Sequence, residues 1–483
     1  MQRNFLLIRK LFLFLLPFVL IPFNAKTSQA NSEGKSFCPS ELPEKINSIL
    51  ANSNQTSRWG IKIEPWSSQQ VLYQKNADQF FIPASTVKLF TTATALQQFH
   101  PEFQVRTPVY RQGKPSHLET LKIIGQGDPS LKSTDLEKLA QTLKAKGIRS
   151  IDQIVLKTGN FAASPINSTW EWEDVYAAYG TGVTSFILDE NSVTLTLTPQ
   201  GIGETVETNW NNAIAASQWN LVNEATTAPT NTDYQVELQG KLGTSQLKLS
   251  GKLPQHIQTD VWHLAIPQPN HYFRDTLLTI LGEAGISVNQ IQLSDSVTIR
   301  GEKIMEFASP PLTELIQTMN RNSNNLYAES LLKQVRKTMP AADTKMAVFE
   351  QQLTPLGISP ETYRFVDGSG LSRRNLVTPS AIAQLLQGML KTDQAAIFRS
   401  SLAVAGVNGT LENRFQSTPL QGKLQGKTGT LTGISALSGY VELPHYQPLI
   451  FTILLNHSQL PASQQRNLID RILLQLSHLK ECQ

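Results

Sequence analysis

The sequence predicts an α+β fold in which a helix-rich domain is interrupted by a large β-rich insertion. Apolar residues recur at helical spacing near both ends of the chain, whereas the middle alternates apolar and polar residues with the period of half-buried strands. The 483 residues are enough for two or three domains with cores of their own. We assign residues 31–103 and 300–483 to the interrupted domain and 104–299 to the insertion, within which residues of about 190–262 are a candidate nested third domain.

The two parts of the interrupted domain carry the long helical patterns. Residues 468–479 have apolar residues at helical spacing and a polar face of mixed charge, which favours packing on the preceding strands over binding to a membrane surface. The elements predicted in chain order are a helix at 42–50, a strand pair at 60–64 and 71–74, a helix from about Ala84, helices at 312–319 and 326–335, a strand group at 426–455 and the final helix.

The insertion has the alternation that is typical of strands. Val193, Leu195 and Leu197 alternate with threonines, which predicts one half-buried strand. Residues 236–249 predict a hairpin around Gly243, and residues 121–156 predict a strand, a helix and a second strand. This part of the chain is therefore expected to form one or two β-rich domains.

Residues 1–30 have the layout of a secretory signal peptide. Three basic residues come first, residues 11–23 are apolar, and Ser28 and Ala30 are small residues placed for a cut after Ala30. The alternative is an uncleaved membrane anchor, but the apolar run is short for a spanning helix and contains two prolines. We therefore expect location in the periplasm or secretion to the cell envelope, with no stable membrane span after cleavage.

The charge balance does not indicate a nucleic-acid partner. Residues 1–30 hold four basic residues and no acid, so the rest of the chain has 38 basic and 38 acidic residues. No basic patch with interleaved aromatic residues occurs in the sequence. The two cysteines, Cys38 and Cys482, stand near opposite ends of the exported part, and in an oxidising compartment they are compatible with one disulfide bond.

The pattern Ser-x-x-Lys occurs five times, so a single match carries little information and its context must decide. Ser32 lies beside the expected signal cleavage, Ser245 is in an alternating segment, Ser330 is inside a helix, and Ser477 is in the last turn of one. The contexts of these four serines do not favour a role as nucleophile.

Ser85 is the match with a suitable context. Pro83 comes just before it and a helical pattern follows, so Ser85 should occupy the first turn of a helix, with Lys88 one turn later on the same face. Free N–H groups and positive partial charge at a helix N-terminus favour a developing anion. A neutral lysine amine can accept the serine proton if it is buried or close to another cation. The alternative is a helix-capping serine followed by a surface lysine.

Two further motifs follow Ser85 in order. Ser323-Asn324-Asn325 gives Ser-x-Asn between two helical segments, and Lys427-Thr428-Gly429 gives Lys-Thr-Gly at the start of a predicted strand. Each motif also occurs once elsewhere, at residues 287–289 and 157–159, so the ordered set is what is specific. Gly429 would let a ligand backbone approach the strand closely.

The ordered set resembles that of penicillin-binding proteins and serine β-lactamases. The 238 positions between Ser85 and Ser323 indicate a large insertion. In this respect the chain is similar to the low-molecular-mass class C penicillin-binding proteins, the D-Ala-D-Ala carboxypeptidase/endopeptidase family. The sequences at 127–130, 367–373 and 409–411 also match that family, and the resemblance spans about residues 40–480. It implies a β-lactamase/transpeptidase-like domain, with a central antiparallel sheet flanked by helices.

The resemblance and the chemistry assign the same catalytic roles. Ser85 is expected to attack the carbonyl of the penultimate D-Ala of a peptidoglycan stem peptide and to form an acyl-enzyme, with Lys88 as the base. Ser323 is expected to relay the proton to the leaving amine, and Lys427 to hold Ser323 and keep Lys88 neutral. β-Lactam antibiotics are then expected to be covalent inhibitors.

The substrate-binding roles are carried over in the same way. Asn325 is expected to hydrogen-bond a substrate amide, Thr428 with Lys427 to hold the terminal carboxylate, and the backbone N–H groups of Ser85 and Thr430 to form the oxyanion hole. No metal and no cofactor are required. The resemblance also implies that the first and last helices pack side by side on one sheet, which would bring Cys38 and Cys482 together.

Two residues are candidates for recognition of the stem-peptide diamino acid. Asp128 stands in the insertion, which should overhang the cleft, and its carboxylate could bind the free amine. Arg373 could bind the companion carboxylate bidentately. The alternative for Asp128 is a structural role in capping its turn, since Pro129 follows it.

Other classes of enzyme have less support. The sequence contains no Gly-x-Ser-x-Gly and no His-Glu-x-x-His, and its eight histidines are scattered. A serine β-lactamase is the nearest alternative enzyme, and a non-catalytic wall-binding protein is the alternative from another class. Hydrolysis of penicillin would favour the first of these, and failure to become labelled by penicillin would favour the second.

Overall fold

The computed structural model describes residues 36–51, 56–68, 70–159, 161, 164–340 and 344–482. The predicted signal peptide at 1–30 and the Ser32 match lie outside these residues. Within the described part of the chain, every helix is too short or too polar to cross a membrane.

Helices occur at both ends of the chain and also inside the predicted insertion. The α-helices of the described residues are α1 (Leu42–Ala51), α2 (Val87–Gln98), α3 (Ser133–Ala145), α4 (Ala213–Ala216), α5 (Pro269–Glu283), α6 (Leu312–Arg321), α7 (Asn325–Thr338), α8 (Lys345–Leu353), α9 (Pro379–Leu390), α10 (Ala395–Ser400) and α11 (Ala462–Leu476).

The strands fall into one large antiparallel sheet, one mixed sheet and several small ones. In chain order they are β1 (Arg58–Pro65), β2 (Tyr73–Lys75), β3 (Arg106–Lys114), β4 (His117–Ile124), β5 (Ser150–Lys157), β6 (Ser192–Thr198), β7 (Glu207–Trp210), β8 (Asn220–Asn223), β9 (Thr226–Ala228), β10 (Glu237–Gly240), β11 (Gln246–Ser250), β12 (Lys252–Pro254), β13 (Asp260–Ala265), β14 (Ser287–Ser294), β15 (Glu302–Ala308), β16 (Tyr363–Arg364), β17 (Leu376–Val377), β18 (Ala403–Val404), β19 (Leu424–Leu431), β20 (Ile434–Val441) and β21 (Leu449–Asn456).

The central sheet has the order β18-β19-β20-β21-β1-β2, and all of its pairs are antiparallel. The strands β20 and β21 are buried along their whole length because helices cover both faces. Tyr440 and Ile450 pack with α2, α6, α7 and α9 on one face, whereas Leu437 and Phe451 pack with α1 and α11 on the other. The near-continuous apolar sequence of these strands follows from this double burial, since both sets of alternating side chains enter a core.

The second large sheet combines four strands of the predicted insertion with β15, which begins at Glu302, just beyond the predicted end of the insertion at 299. Its order is β14-β5-β4-β3-β15, with β4, β5 and β14 mutually parallel and β3 and β15 antiparallel to their neighbours. Helices α3 and α5 contribute to its core, which is distinct from the cores on the central sheet. The smaller sheets β13-β6-β7, β10-β11-β8 and β12-β9 lie in the chain between β5 and α5. The domain boundaries at 104, 299 and 190–262 stay a prediction.

Most predicted elements agree with the structure. The β6 strand alternates intermediate and buried residues as the threonine alternation predicts, and β10 and β11 form the predicted hairpin, with Gly243 at a φ of 74°. The predicted final helix packs its apolar face into the core of the central sheet. One expectation was wrong, because Lys427 lies in the middle of β19 rather than at its start. Helices α4, α5, α8, α9 and α10 were not predicted.

The ends of the described chain lie together. Cys38 and Cys482 form a disulfide bond with a Cα–Cα distance of 5.7 Å. Next to it, the backbone N–H of Phe37 donates to His478 at 2.9 Å, and that of Lys480 donates to Phe37 at 3.1 Å. Helices α1 and α11 pack against each other on the same face of the central sheet, and this places the two ends side by side.

Candidate active site

Ser85 lies in a tight turn that leads into α2. Residues Ala84–Thr86 form one turn of 3₁₀-helix, and Ala84 has a φ of 49°, in the left-handed region that favours glycine. The turn packs against β19. A Cβ atom on Gly429 would stand 2.8 Å from the carbonyl oxygen of Pro83 and 3.1 Å from the backbone nitrogen of Ser85. Gly429 therefore serves the close approach of the strand to this turn, not only the approach of a ligand as the sequence suggested.

Lys88 is fully buried directly below Ser85. Its Nζ lies 2.9 Å from the Oγ of Ser85, 2.6 Å from the Oδ1 of Asn325 and 2.6 Å from the backbone oxygen of Ser369. A neutral amine has two N–H donors, which satisfy Asn325 and Ser369, and a lone pair that then faces the Ser85 hydroxyl. The geometry suits acceptance of a proton from that hydroxyl.

Burial lowers the pKa of Lys88 to about 7, although the charges of Asp367 and Glu329 act in the opposite direction. Burial also lowers the pKa of Lys427 well below its usual value, and repulsion from Lys88 lowers it further. From the sequence, Lys427 was expected to keep Lys88 neutral. In the structure the main cause is instead removal of the Lys88 ammonium from water.

Ser323 projects from the loop between α6 and α7 with a φ of 57°. Its Oγ accepts a hydrogen bond from the Nζ of Lys427 at 2.8 Å, and the same Nζ donates to the backbone oxygen of Thr428 at 2.8 Å. Lys427 is fully buried within β19. The three sequence motifs, far apart in the chain, thus meet at one place.

Asn325 and Thr428 complete this group. The Nδ2 of Asn325 donates to the backbone oxygen of Tyr179 at 2.8 Å, so the insertion contacts the site directly. The hydroxyl of Thr428 donates to that of Thr410 at 2.8 Å, whereas Thr430, two residues further along β19, is exposed at the cleft.

A cleft with a volume of about 610 Å³ opens above Ser85. The cleft is lined by the motif residues Ser85, Ser323 and Asn325, by residues within 370–373, 430–433 and 460–465, and by Glu171, Asp174 and Tyr179 of the insertion. Arg373 lies at its edge, where its Nε pairs with Glu171 at 2.9 Å and an Nη1 donates to the backbone oxygen of Thr432 at 3.1 Å. Of the two candidates for recognition of the diamino acid, only Arg373 is therefore at the cleft.

Asp128 is placed elsewhere. It is buried, and its Oδ1 accepts hydrogen bonds from the backbone N–H of Ser130 at 2.9 Å and from the Ser130 hydroxyl at 2.6 Å. Burial raises the pKa of Asp128 to about 6. It is not among the residues that line the cleft. This geometry favours the structural interpretation, in which the carboxylate caps its own turn.

Two buried carboxylates, Glu329 and Asp367, lie close to Lys88. The Oε1 of Glu329 accepts from the backbone N–H groups of Gly368 and Ser369, both at 2.8 Å, which directs the Ser369 carbonyl towards Lys88. Asp367 accepts from the backbone of Gly370 at 2.8 Å and from the indole of Trp170 at 2.9 Å. Residues 367–373 were identified in the sequence as a match to the family, whereas Glu329, which lies in no motif, was not assigned a role.

A model of the D-Ala-D-Ala carboxypeptidase 3 (S13) family matches residues 42–476. The chain belongs to this family. The predicted fold class and the predicted carboxypeptidase function are confirmed: the chain is a serine-type D-Ala-D-Ala carboxypeptidase.

Relatives of this carboxypeptidase cover nearly its whole length. It is 28% identical to the D-alanyl-D-alanine carboxypeptidase of Actinomadura sp. (strain R39), over 93% of this chain and 86% of that protein. It is also 28% identical to penicillin-sensitive carboxypeptidase A of Dictyostelium discoideum, over 99% of both. The crystal structure of penicillin binding protein 4 (dacB) from Haemophilus influenzae has the same fold, with a TM-score of 0.79 and 23% identity over 88% of this chain and 97% of that one.

Proposed function

We propose that this carboxypeptidase cleaves peptidoglycan stem peptides and their cross-links in the periplasm or cell envelope, through an acyl intermediate on Ser85, and that β-lactams acylate the same residue. The observation that carries the proposal is the pair of lysines buried below the cleft. Lys88 lies 2.9 Å from the hydroxyl of Ser85, and Lys427 lies 2.8 Å from that of Ser323. A pKa of about 7 leaves a large fraction of Lys88 as the neutral base at neutral pH.

The proposed reaction has two steps. The Oγ of Ser85 attacks the carbonyl carbon of the penultimate D-Ala while its proton moves to the Nζ of Lys88. The C–N bond breaks, the leaving amine takes a proton through the Ser323 hydroxyl, and the terminal residue departs. Water then attacks the ester carbonyl, its proton goes to the base, and Ser85 is restored.

Binding groups surround the point of attack. The backbone N–H groups of Ser85 and Thr430 are proposed to stabilise the oxyanion, at about 10²–10³ in rate for each donor. Lys427 and Thr428 are proposed to hold the terminal carboxylate. Asn325 is proposed to bind a substrate amide through its side chain, whose oxygen also contacts Lys88.

The direct test uses purified muropeptides followed by mass analysis of the products. Loss of one terminal D-Ala from pentapeptides reports carboxypeptidase activity, and conversion of cross-linked dimers to monomers reports endopeptidase activity. Absence of both products would contradict the proposal. Rapid hydrolysis of penicillin instead of a lasting adduct would favour a β-lactamase, and absence of any adduct would favour a non-catalytic wall-binding protein.

The rate of penicillin acylation is expected to rise with pH through about 7 and then to level off, because only the neutral amine of Lys88 accepts the Ser85 proton. The charge of Glu329 raises the pKa of Lys88, so Glu329→Gln should move the rising limb to lower pH. The amide oxygen can still accept from Gly368 and Ser369, which preserves the local geometry.

The measurement is the rate of acylation by a fluorescent penicillin as a function of pH. The exposed Glu361→Gln is the matched control and should leave the profile unchanged. An unshifted limb in Glu329→Gln, or a shift of equal size in the control, would contradict this electrostatic role of Glu329.

We also propose that Asp174, a carboxylate at the cleft, binds the cationic amine of a stem-peptide diamino acid. Asp174 lines the cleft, and its Oδ1 accepts a hydrogen bond from the Tyr179 hydroxyl at 3.1 Å. Asp174→Asn is expected to lower kcat/KM for substrates with a free side-chain amine by about 10- to 150-fold, the loss of one charge-assisted hydrogen bond. Acylation by simple penicillins, which lack that amine, should be spared.

Asp128→Asn is the matched comparison, because Asp128 is the carboxylate that the sequence analysis considered for this role. It should affect both substrates alike or neither, since Asp128 bonds within its own turn. Selective loss in Asp128→Asn with none in Asp174→Asn would restore the recognition role of Asp128.

A further inference from the structure

A second cavity, with a volume of about 580 Å³, lies beside the C-terminal half of α7. The insertion lines it through residues of the 161–170 segment, and Lys345 and Val366 close it from the other part of the chain. None of the residues that line this cavity lines the catalytic cleft. Its volume falls within the range of about 300–1,000 Å³ that is typical of small-ligand pockets. We call it the basic pocket.

Positive charge dominates the lining of the basic pocket. Lys333, Arg336 and Lys337 are three and four residues apart on α7, so they project from one face of that helix. Lys345 is the first residue of α8, where the helix dipole adds positive potential. Among the described residues of the lining, Glu329 is the one carboxylate.

The lysines of the basic pocket bond to neutral oxygen atoms. The Nζ of Lys333 donates to the backbone oxygen of Val183 at 2.7 Å, that of Lys337 to the side-chain oxygen of Gln126 at 2.5 Å, and that of Lys345 to the backbone oxygen of Val366 at 3.2 Å. Such bonds fix the positions of the ammonium groups without neutralising their charge. Lys345 also pairs with Glu329, at 3.8 Å, but that carboxylate is already engaged by two backbone N–H groups.

Two effects act against the positive charge of Lys333 in this lining. Burial lowers the pKa of Lys333 to about 8, and although Glu329 acts in the opposite direction, repulsion from Lys345 and Arg336 lowers it further. An anionic group among these side chains would relieve the repulsion and replace lost hydration.

The rest of the lining is apolar, so the ligand should carry an apolar body as well as charge. Trp170 is buried, and the Lys333 ammonium lies 5.5 Å from the ring centre of Phe161. The apolar side chains of the pocket are Phe161, Pro165, Ile166, Trp170, Leu332 and Val366. A bare phosphate would leave them unused, whereas a short peptide with several carboxylates would use both kinds of surface.

We propose that the basic pocket binds a short peptide with two or more carboxylates, of the chemical class to which uncross-linked stem peptides belong, at a site separate from the catalytic cleft. The choice of a stem peptide rests on the proposed function, whereas the preference for a carboxylate peptide rests on the charges and apolar side chains of the pocket. After its terminal residue has been cleaved in the catalytic cleft, a product peptide could then remain bound to the enzyme in the basic pocket.

The test is isothermal titration of the penicillin-acylated protein with the tripeptide L-Ala-γ-D-Glu-meso-diaminopimelic acid. Acylation blocks the catalytic cleft, so the remaining binding reports the basic pocket. Lys333→Met and Lys345→Met are each expected to weaken this binding by about 10-fold or more, the loss of one charge-assisted hydrogen bond. The matched control is Lys144→Met, an exposed lysine on α3, which should bind as the unaltered protein does.

Several outcomes would overturn the proposal. They are no binding to the acylated protein, binding that survives both pocket variants, and binding of inorganic pyrophosphate without binding of the tripeptide. Melting temperatures of the variants should match that of the unaltered protein, since the change removes a repelled charge and keeps an unbranched side chain; a variant that melts early is replaced by Lys333→Gln. If penicillin fails to acylate the protein, the proposed function fails, but the comparison of Lys333→Met with Lys144→Met still tests the pocket.

Discussion

Replacement of Ser85 by alanine is expected to abolish covalent labelling by penicillin and cleavage of muropeptides. The hydroxyl of Ser85 lines the cleft and lies 2.9 Å from the Nζ of Lys88, whose pKa of about 7 suits a general base. Peptide mapping of the unaltered protein should therefore find one acyl group, on Ser85. Removal of the nucleophile leaves binding intact, so non-covalent affinity for substrate should change little.

Lys88→Met should lower the acylation rate by about 10²–10⁴, the contribution of a general base. Methionine nearly matches the length of the lysine stem, and the substitution replaces a buried amine by an apolar group. Since Ser85 and Lys88 act as a unit, Ser85→Ala with Lys88→Met should be no worse than Ser85→Ala alone. The same reasoning gives a loss of several orders of magnitude for Lys427→Ala, because Lys427 holds Ser323.

The control for this series is Ser245→Ala. Ser245 heads another Ser-x-x-Lys sequence, but it is exposed, and its Lys248 pairs with Glu224 at 2.8 Å. Penicillin should acylate the Ser245→Ala variant at the same rate as the unaltered protein. An adduct on Ser245 or Ser330, or labelling that persists in Ser85→Ala, would overturn the assignment of the nucleophile.

The largest expected effect on stability comes from the disulfide bond between Cys38 and Cys482. The bond closes a loop with a sequence separation of 444 residues. In the chain-entropy model, its removal by Cys38→Ser with Cys482→Ser costs about 4 kcal/mol or more of the free energy of unfolding. Reversible denaturant unfolding of the double variant measures this difference, and titration of the unreduced, unfolded protein should find no free thiol.

Activity provides the complementary measurement. The chain ends remain joined by the backbone hydrogen bonds of Phe37 with His478 and Lys480, and the core of α1 and α11 is unaffected by the substitutions. The folded double variant should therefore acylate at the unaltered rate at 25 °C. Two free thiols in the unaltered protein, or equal stability of the two proteins, would contradict the expected role of the bond.

The sequence predicted the catalytic motifs because their chemistry is local. Ser85 and Lys88 are one helical turn apart, so their proximity follows from the helix alone. The order of these residues, Ser323 and Lys427 along the chain indicated the family. The resemblance to the family implied that the three motifs lie together in the folded protein. The same local logic predicted six of the helices from their periodicity but missed α5, whose apolar face lies in an insertion that the strand pattern dominated, as well as α4, α8, α9 and α10.

Tertiary structure decided which residues of the insertion reach the site. The distance in sequence from Tyr179 to Asn325 gives no indication that the backbone oxygen of one accepts from the side chain of the other. Asp128 was the candidate carboxylate by sequence, because the insertion that contains it was expected to overhang the cleft, but its bonds to Ser130 keep it within its own turn. The carboxylates at the cleft, Glu171 and Asp174, stand in a segment without a motif.

The sequence by itself determined the class of chemistry and the α+β character of the chain, and it predicted the three motifs as the residues that carry this chemistry. Only the tertiary structure decided the protonation of Lys88, because its pKa depends on burial and on the charges of Asp367 and Glu329, which the fold brings to it from two other segments. The same holds for the basic pocket, whose cations come from α7 and α8 and whose apolar wall comes from the insertion. Burial and distance between remote segments are properties of packing, and no local pattern encodes them.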